Sequence, residues 1–75
     1  MDIIRAAESN CRARMDEHAY IMNLCYQIPD KDNLDKFMSS LSIYTKAFNE
    51  LRVLETFKSQ ASEDSNEIEN NTSSN

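Results

Sequence analysis

The chain has no glycine, no tryptophan and a single proline among its 75 residues. Tight β-turns depend on residues that accept positive φ, and glycine supplies most of them. This lack argues against a β-rich or turn-rich fold. Few residues could carry out catalysis, because the chain has one histidine and no glycine to build an oxyanion loop. At 75 residues the chain is also at most one small domain. We therefore expect an all-α protein that is not an enzyme.

Cysteine is limited to Cys11 and Cys25, which lie on one predicted helix about 21 Å apart along its axis. A disulfide requires Cα atoms about 5.5–6 Å apart, so these thiols cannot bond each other within that helix. The sequence shows no signal-peptide pattern and no apolar run of the roughly 20 residues that a membrane span needs. We expect two reduced thiols in an intracellular protein, cytoplasmic or nuclear, without membrane insertion.

The net charge of −5 is unevenly distributed along the chain. Residues 1–61 are close to neutral, whereas 62–75 carry four acidic side chains and no basic one. The stretch 62–75 has Ile68 as its only large apolar residue, so it cannot bury enough surface to offset the entropy of ordering. We expect a disordered acidic tail over 62–75, in which Ser62 and Ser65 are candidate phosphorylation sites.

Helical periodicity is the strongest pattern in the chain. Large apolar residues from residue 34 onward recur at alternating spacings of three and four, which predicts a coiled-coil-like helix over about 32–60. The residues assigned to the hairpin interface are Leu34, Phe37, Leu41, Tyr44, Phe48 and Leu51. Further apolar residues are placed on the far side of the helix: Ile43, Ala47, Leu54 and Phe57. Of these we assign three to a partner surface: Ile43, Leu54 and Phe57.

A softer stripe of small and sulfur-bearing residues predicts a first helix over about 3–27. Its members are Ile4, Ala7, Cys11, Met15, His18, Met22 and Cys25. Four of them are assigned to a protein interface: Ile4, Cys11, Met15 and Met22. The stripe faces one direction, as the contact between two paired helices requires.

The break between the helices is predicted at residues 28–31. Pro29 disfavours the α conformation at Ile28 and ends the first helix near Gln27. Asp32 is the first choice for the N-cap of the second helix, and Asp30 is the alternative. Because such a short connection favours antiparallel neighbours, the expected fold is an antiparallel helical hairpin over residues 1–61.

Cys11, His18 and Cys25 stand at seven-residue spacing on one face, which suggests a metal site. Positions seven apart are about 10.5 Å apart along a helix, whereas Zn–ligand bonds are about 2.0–2.3 Å. One ion therefore cannot reach two of these residues within one helix, and we expect interface residues with no metal or cofactor. A pH-sensitive interface role for His18 is the alternative, since histidine titrates near neutrality.

Two helices enclose no core of their own, and the second helix is apolar on more than one side. We predict a small structural or adaptor subunit of a larger complex, assembled with other helical subunits by bundle or coiled-coil packing. The alternative is a homodimeric four-helix bundle that acts as a binding regulator, with RNA as a candidate ligand for Arg5, Arg12 and Arg14. Glu8 and Asp16 dilute that basic cluster, so nucleic acid is not the expected partner.

Overall fold

The computed structural model describes the backbone of residues 1–74 and the side chains of residues 1–61. It contains two α-helices, α1 (Ile3–Gln27) and α2 (Lys31–Ser74), which pack against each other in antiparallel directions. The predicted all-α helical hairpin is therefore confirmed. The second helix was predicted to end near residue 60, whereas α2 continues to Ser74. The prediction of a disordered tail falls on residues 62–75, which lie outside the part of the chain whose side chains are described.

The two ends of α1 are set by local backbone chemistry. Asp2 is the N-cap, with an extended backbone (φ −85°, ψ 100°), and its carboxylate accepts a hydrogen bond of 3.1 Å from the Arg5 N–H. This bond satisfies one of the free amides of the first turn. At the other end Ile28 has φ −126° and ψ 82°, because the ring of Pro29 excludes the α conformation from the residue before it.

The N-cap of α2 is Asp30, the alternative from the sequence, and not Asp32. The Asp30 carboxylate accepts a hydrogen bond of 2.8 Å from the Asn33 N–H, and its carbonyl accepts one of 2.8 Å from the Leu34 N–H. The Asn33 side-chain amide also donates to the Ile28 carbonyl at 2.7 Å. Because α2 begins at Lys31, Asp32 is a first-turn residue, and its charge interacts favourably with the helix dipole.

The helices meet along a heptad pattern in which the residues that are buried or half-buried recur at alternating spacings of four and three. On α1 this interface comprises Ile4, Glu8, Cys11, Met15, His18, Met22 and Cys25. On α2 it comprises Asn33, Phe37, Ser40, Tyr44, Ala47, Leu51 and Leu54. Within residues 1–61 the buried apolar residues are Cys11, Cys25, Ala47 and Leu51, none larger than leucine. The core is therefore narrow, and most large apolar side chains lie beside it.

Candidate protein-interaction surface

The helix–helix interface contains a polar pair near its middle. His18 Nδ1 and Ser40 Oγ form a hydrogen bond of 3.0 Å, and Ser40 is only 4% exposed. A buried hydroxyl needs such a partner, because an unsatisfied polar group in an apolar contact costs about 1–3 kcal/mol. Among the side chains of residues 1–61, no buried polar atom lacks a hydrogen-bond partner. The pair therefore favours the register that sets His18 opposite Ser40.

An ion pair bridges the helices on one side of this interface. The Arg14 guanidinium donates to the Glu50 carboxylate, and its Nε also donates to the Asn10 side chain at 3.0 Å. The hydrogen bond between Arg14 and Glu50 raises the pKa of Arg14 and holds the pKa of Glu50 below its ordinary value of 4.5. Both groups are therefore charged at neutral pH. Replacing either one by a residue of the opposite charge would place two like charges next to each other.

The residues of the predicted α1 stripe lie toward α2 with one exception: Glu8 takes the place of Ala7, which lies beside the contact line. In the contact line the half-buried members of the stripe are Ile4, Met15, His18 and Met22, and the buried ones are Cys11 and Cys25. The seven-residue set of Cys11, His18 and Cys25 therefore consists of packing residues. In the described part of the chain, no group of three or more acidic, histidine or cysteine side chains could hold a metal ion.

On α2 the hairpin interface differs from the predicted one. Phe37, Tyr44 and Leu51 do face α1. The other three predicted residues lie beside the interface, with 57%, 38% and 42% of their surface exposed: Leu34, Leu41 and Phe48. Their places are taken by the residues that precede each of them: Asn33, Ser40 and Ala47. The assignment of Leu34, Leu41 and Phe48 to the hairpin interface is therefore corrected.

The reason for this correction is the chemistry of α1. His18 needs a hydrogen-bonding partner, and Ser40 supplies it, whereas Leu41 has no polar atom in its side chain. Ala47 is fully buried, and so small a side chain lets the two helices approach closely. The far-side placement of Ala47 and Leu54 is corrected too, since Leu54 is half-buried in the hairpin interface.

One exposed apolar surface, here called the Leu41 flank, consists of Tyr26, Leu34, Met38, Leu41 and Phe48. All five side chains are exposed. The leucines and the phenylalanine follow one another at seven-residue steps along α2. Near the turn, Tyr26 and Leu34 line an open groove of about 920 Å³. The Leu41 flank is therefore a row of exposed apolar residues on one side of the hairpin.

The opposite side of the interface, here called the Ile43 flank, mixes apolar and charged residues. It comprises Ala7, Arg14 and Ile21 of α1 and Ile43, Glu50 and Phe57 of α2, again at seven-residue steps. Ile43 and Phe57, predicted as partner-surface residues, are exposed on it. Ala7, Arg14 and Glu50 line an open groove of about 960 Å³ together with Val53. The hairpin thus leaves apolar residues uncovered on both sides.

Comparisons with known proteins supply no relative from which a function could be transferred. No protein-family model, curated protein or solved structure matches the chain significantly. Over the described residues, neither helix contains a stretch that is apolar enough over the required length to cross a bilayer. The class of protein is therefore defined by the fold alone, as an all-α helical hairpin with two partly apolar flanks.

Proposed function

We propose that this protein is a small, non-enzymatic structural or adaptor subunit of a larger intracellular assembly. In this proposal a helix of another protein packs on the Leu41 flank. The observation that carries the proposal is the row of Leu34, Leu41 and Phe48, which the hairpin leaves exposed beside its own interface. Contiguous apolar surface on a folded protein marks a site where another molecule covers it.

The spacing of that row identifies the kind of partner. Leu34, Leu41 and Phe48 are separated by two heptads in all, so they form a straight apolar edge about 21 Å long. An amphipathic helix with apolar residues at the same period fits such an edge by coiled-coil packing. The row carries no charge of its own, which favours a partner that presents an equally apolar stripe.

A homodimeric regulator that binds RNA is the second candidate. It needs the basic residues of α1 to be free to contact phosphates. Arg14 is instead engaged with Glu50 across the hairpin, which leaves Arg5 and Arg12 of the basic cluster. The observations therefore support a protein partner in preference to nucleic acid.

The test compares Leu41→Asp with Ser42→Asp in the full chain, expressed in its own cells at natural levels. The two substitutions add the same charge at adjacent positions of α2, but Ser42 lies outside the Leu41 flank and is exposed. We expect the wild-type and Ser42→Asp chains to elute in a complex much larger than a dimer. The Leu41→Asp chain should elute as free hairpin or dimer, because an unpaired buried carboxylate costs several kcal/mol.

Two outcomes would contradict this proposal. One is elution of the wild-type chain at the size of a monomer or dimer. The other is a Leu41→Asp chain that remains in the large complex. Circular dichroism of each purified variant provides the control, since the hairpin must keep its helical content for the comparison to report on assembly.

A further inference from the structure

We propose that the Ile43 flank binds a second copy of this chain, with the two hairpins side by side and their turns at the same end. In this dimer α1 of each copy lies antiparallel to α2 of the other, which completes a four-helix bundle. The surface is distinct from the Leu41 flank, so the dimer goes beyond the proposed function and does not depend on it.

The ion pair sets the level of each residue on the Ile43 flank. Arg14 and Glu50 bond across the hairpin, so they lie at the same height along it. Seven residues toward the open end, opposite the turn, are Ala7 on α1 and Phe57 on α2. Seven residues toward the turn, the corresponding positions are Ile21 and Ile43. The flank therefore has three levels, each with one residue from each helix.

These three levels are complementary to themselves under one symmetry operation. A two-fold axis parallel to the hairpin exchanges α1 and α2 and keeps every residue at its own height. Arg14 then faces Glu50 of the second copy, where opposite charges attract. The small Ala7 faces the large Phe57, and Ile21 faces Ile43, which buries apolar surface from both copies.

Charge also disfavours the other two-fold arrangement, with the axis perpendicular to the hairpin at the level of the ion pair. That operation sets Arg14 against Arg14 and Glu50 against Glu50, and like charges across an interface cost several kcal/mol. Glu17 and Lys46, one turn closer to the hairpin turn, add a second opposite-charge pair in the parallel arrangement. The electrostatics of the flank therefore favour hairpins with their turns at the same end.

The shape and size of the flank are suited to this occupant. The groove of about 960 Å³ beside Ala7 and Val53 is open at the level where Phe57 of the second copy would enter. The 25 residues of α1 extend about 37 Å, and two adjacent helices are about 20 Å wide. The face that each copy presents therefore has a projected area of roughly 740 Å². Stable protein–protein interfaces bury about 800 Å² per partner.

The dimer leaves the two Leu41 flanks on opposite outer sides of the bundle. An adaptor built in this way presents two equivalent apolar edges and can hold two copies of the same partner helix. This bivalency rests on the proposed function, whereas the dimer itself does not. It would give the assembly a two-fold symmetric connection at the position of this subunit.

The test exchanges charges between two full-length variants, Arg14→Glu and Glu50→Arg. Each variant alone places like charges together within the hairpin and across the proposed interface. An equimolar mixture sets two carboxylates of one chain against two guanidinium groups of the other. We expect native mass spectrometry at micromolar concentration to show dimers of the wild type. Each variant alone should have a dimer Kd at least about tenfold higher, and the mixture should recover a dimer with one chain of each kind.

Ile43→Asp and Leu41→Asp form a second, matched pair in case the charge variants unfold. Both residues are 38% exposed and lie on opposite flanks of α2. The Ile43→Asp chain should be a helical monomer, and the Leu41→Asp chain should remain a dimer. The dimer is overturned by a wild-type chain that stays monomeric, by an Ile43→Asp chain that still dimerises, or by folded charge variants that form no preferred mixed dimer. Loss of the large complex in Leu41→Asp alone concerns the proposed function, and not the dimer.

Discussion

Small polar and apolar residues decide how the two helices meet. Ser40 and Ala47 occupy interface positions where sequence spacing favoured Leu41 and Phe48. The hydrogen bond between His18 and Ser40 and the close approach allowed by Ala47 favour that choice. One hydroxyl and one methyl group therefore determine which large side chains of α2 remain exposed.

The turn provides a residue-scale prediction. Replacing Asp30 by Ala removes the acceptor for the Asn33 N–H, and the loss of such an N-cap costs about 0.5–2 kcal/mol. The matched control is Asp32→Ala, which removes only a charge in the first turn of α2 and should cost less. Urea unfolding followed by circular dichroism measures both. Equal losses in the two variants would show that Asp30 is not the functional cap.

At the scale of the element, α2 carries two apolar lines that run side by side. One line faces α1. The other is the α2 part of the Leu41 flank, in which Leu34, Leu41 and Phe48 each come directly after a residue of the first line. A single hairpin partner covers only one line of a helix. The second line of α2 therefore remains exposed in the hairpin.

Two substitutions on α2 distinguish these lines in the purified chain. Leu51→Ala removes a side chain that is 7% exposed, and emptying such a site costs about 2–5 kcal/mol. Phe48→Ala removes a larger side chain from the exposed line and should cost clearly less, because 42% of its surface is already in contact with water in the hairpin. Chemical denaturation at one protein concentration compares them. A greater loss of stability in Phe48→Ala would place Phe48 in the hairpin interface after all.

For the whole molecule, the hairpin interface within residues 1–61 fully buries no apolar side chain larger than leucine. Several large apolar side chains remain exposed, some on the two flanks and others, such as Tyr20 and Leu24, outside them. If other chains cover the flanks as proposed, association adds burial that the hairpin does not provide, and folding and assembly are thermodynamically linked.

The ion pair between Arg14 and Glu50 should make the stability of the hairpin depend on pH. The pKa of Glu50 is lowered by its hydrogen bond to Arg14, so this stabilisation is present above its ordinary value of 4.5 and is lost as the pH falls through the lower folded-state value. The free energy of unfolding of the wild type should therefore fall below about pH 4.5 more steeply than that of Glu50→Gln. Thermal melts between roughly pH 6 and 3 measure the difference. Parallel curves for the two proteins would contradict it.

Sequence spacing was sufficient for the class of fold and for most of the contact line of α1. The stripe from Ile4 to Cys25 has more apolar residues than the weaker line of Ala6, Ala13, Tyr20 and Leu24 on the opposite side, which favoured burying the stripe. On α2, spacing predicted a helix, but at alternate turns it assigned the contact with α1 to the residue that follows the true one, as with Leu41 in place of Ser40. The N-cap was left open between Asp30 and Asp32 for the same reason, since either position matches the local pattern.

Local sequence is enough to specify two helices and the turn between them, because periodicity, the ring of Pro29 and the lack of glycine act through neighbouring residues. Which line of α2 meets α1 is instead set by packing between the two helices. That choice depends on the side chains of the other helix, on a hydroxyl for His18 and on the close fit at Ala47. The same packing leaves Leu34, Leu41 and Phe48 exposed, on the surface we propose for a partner helix.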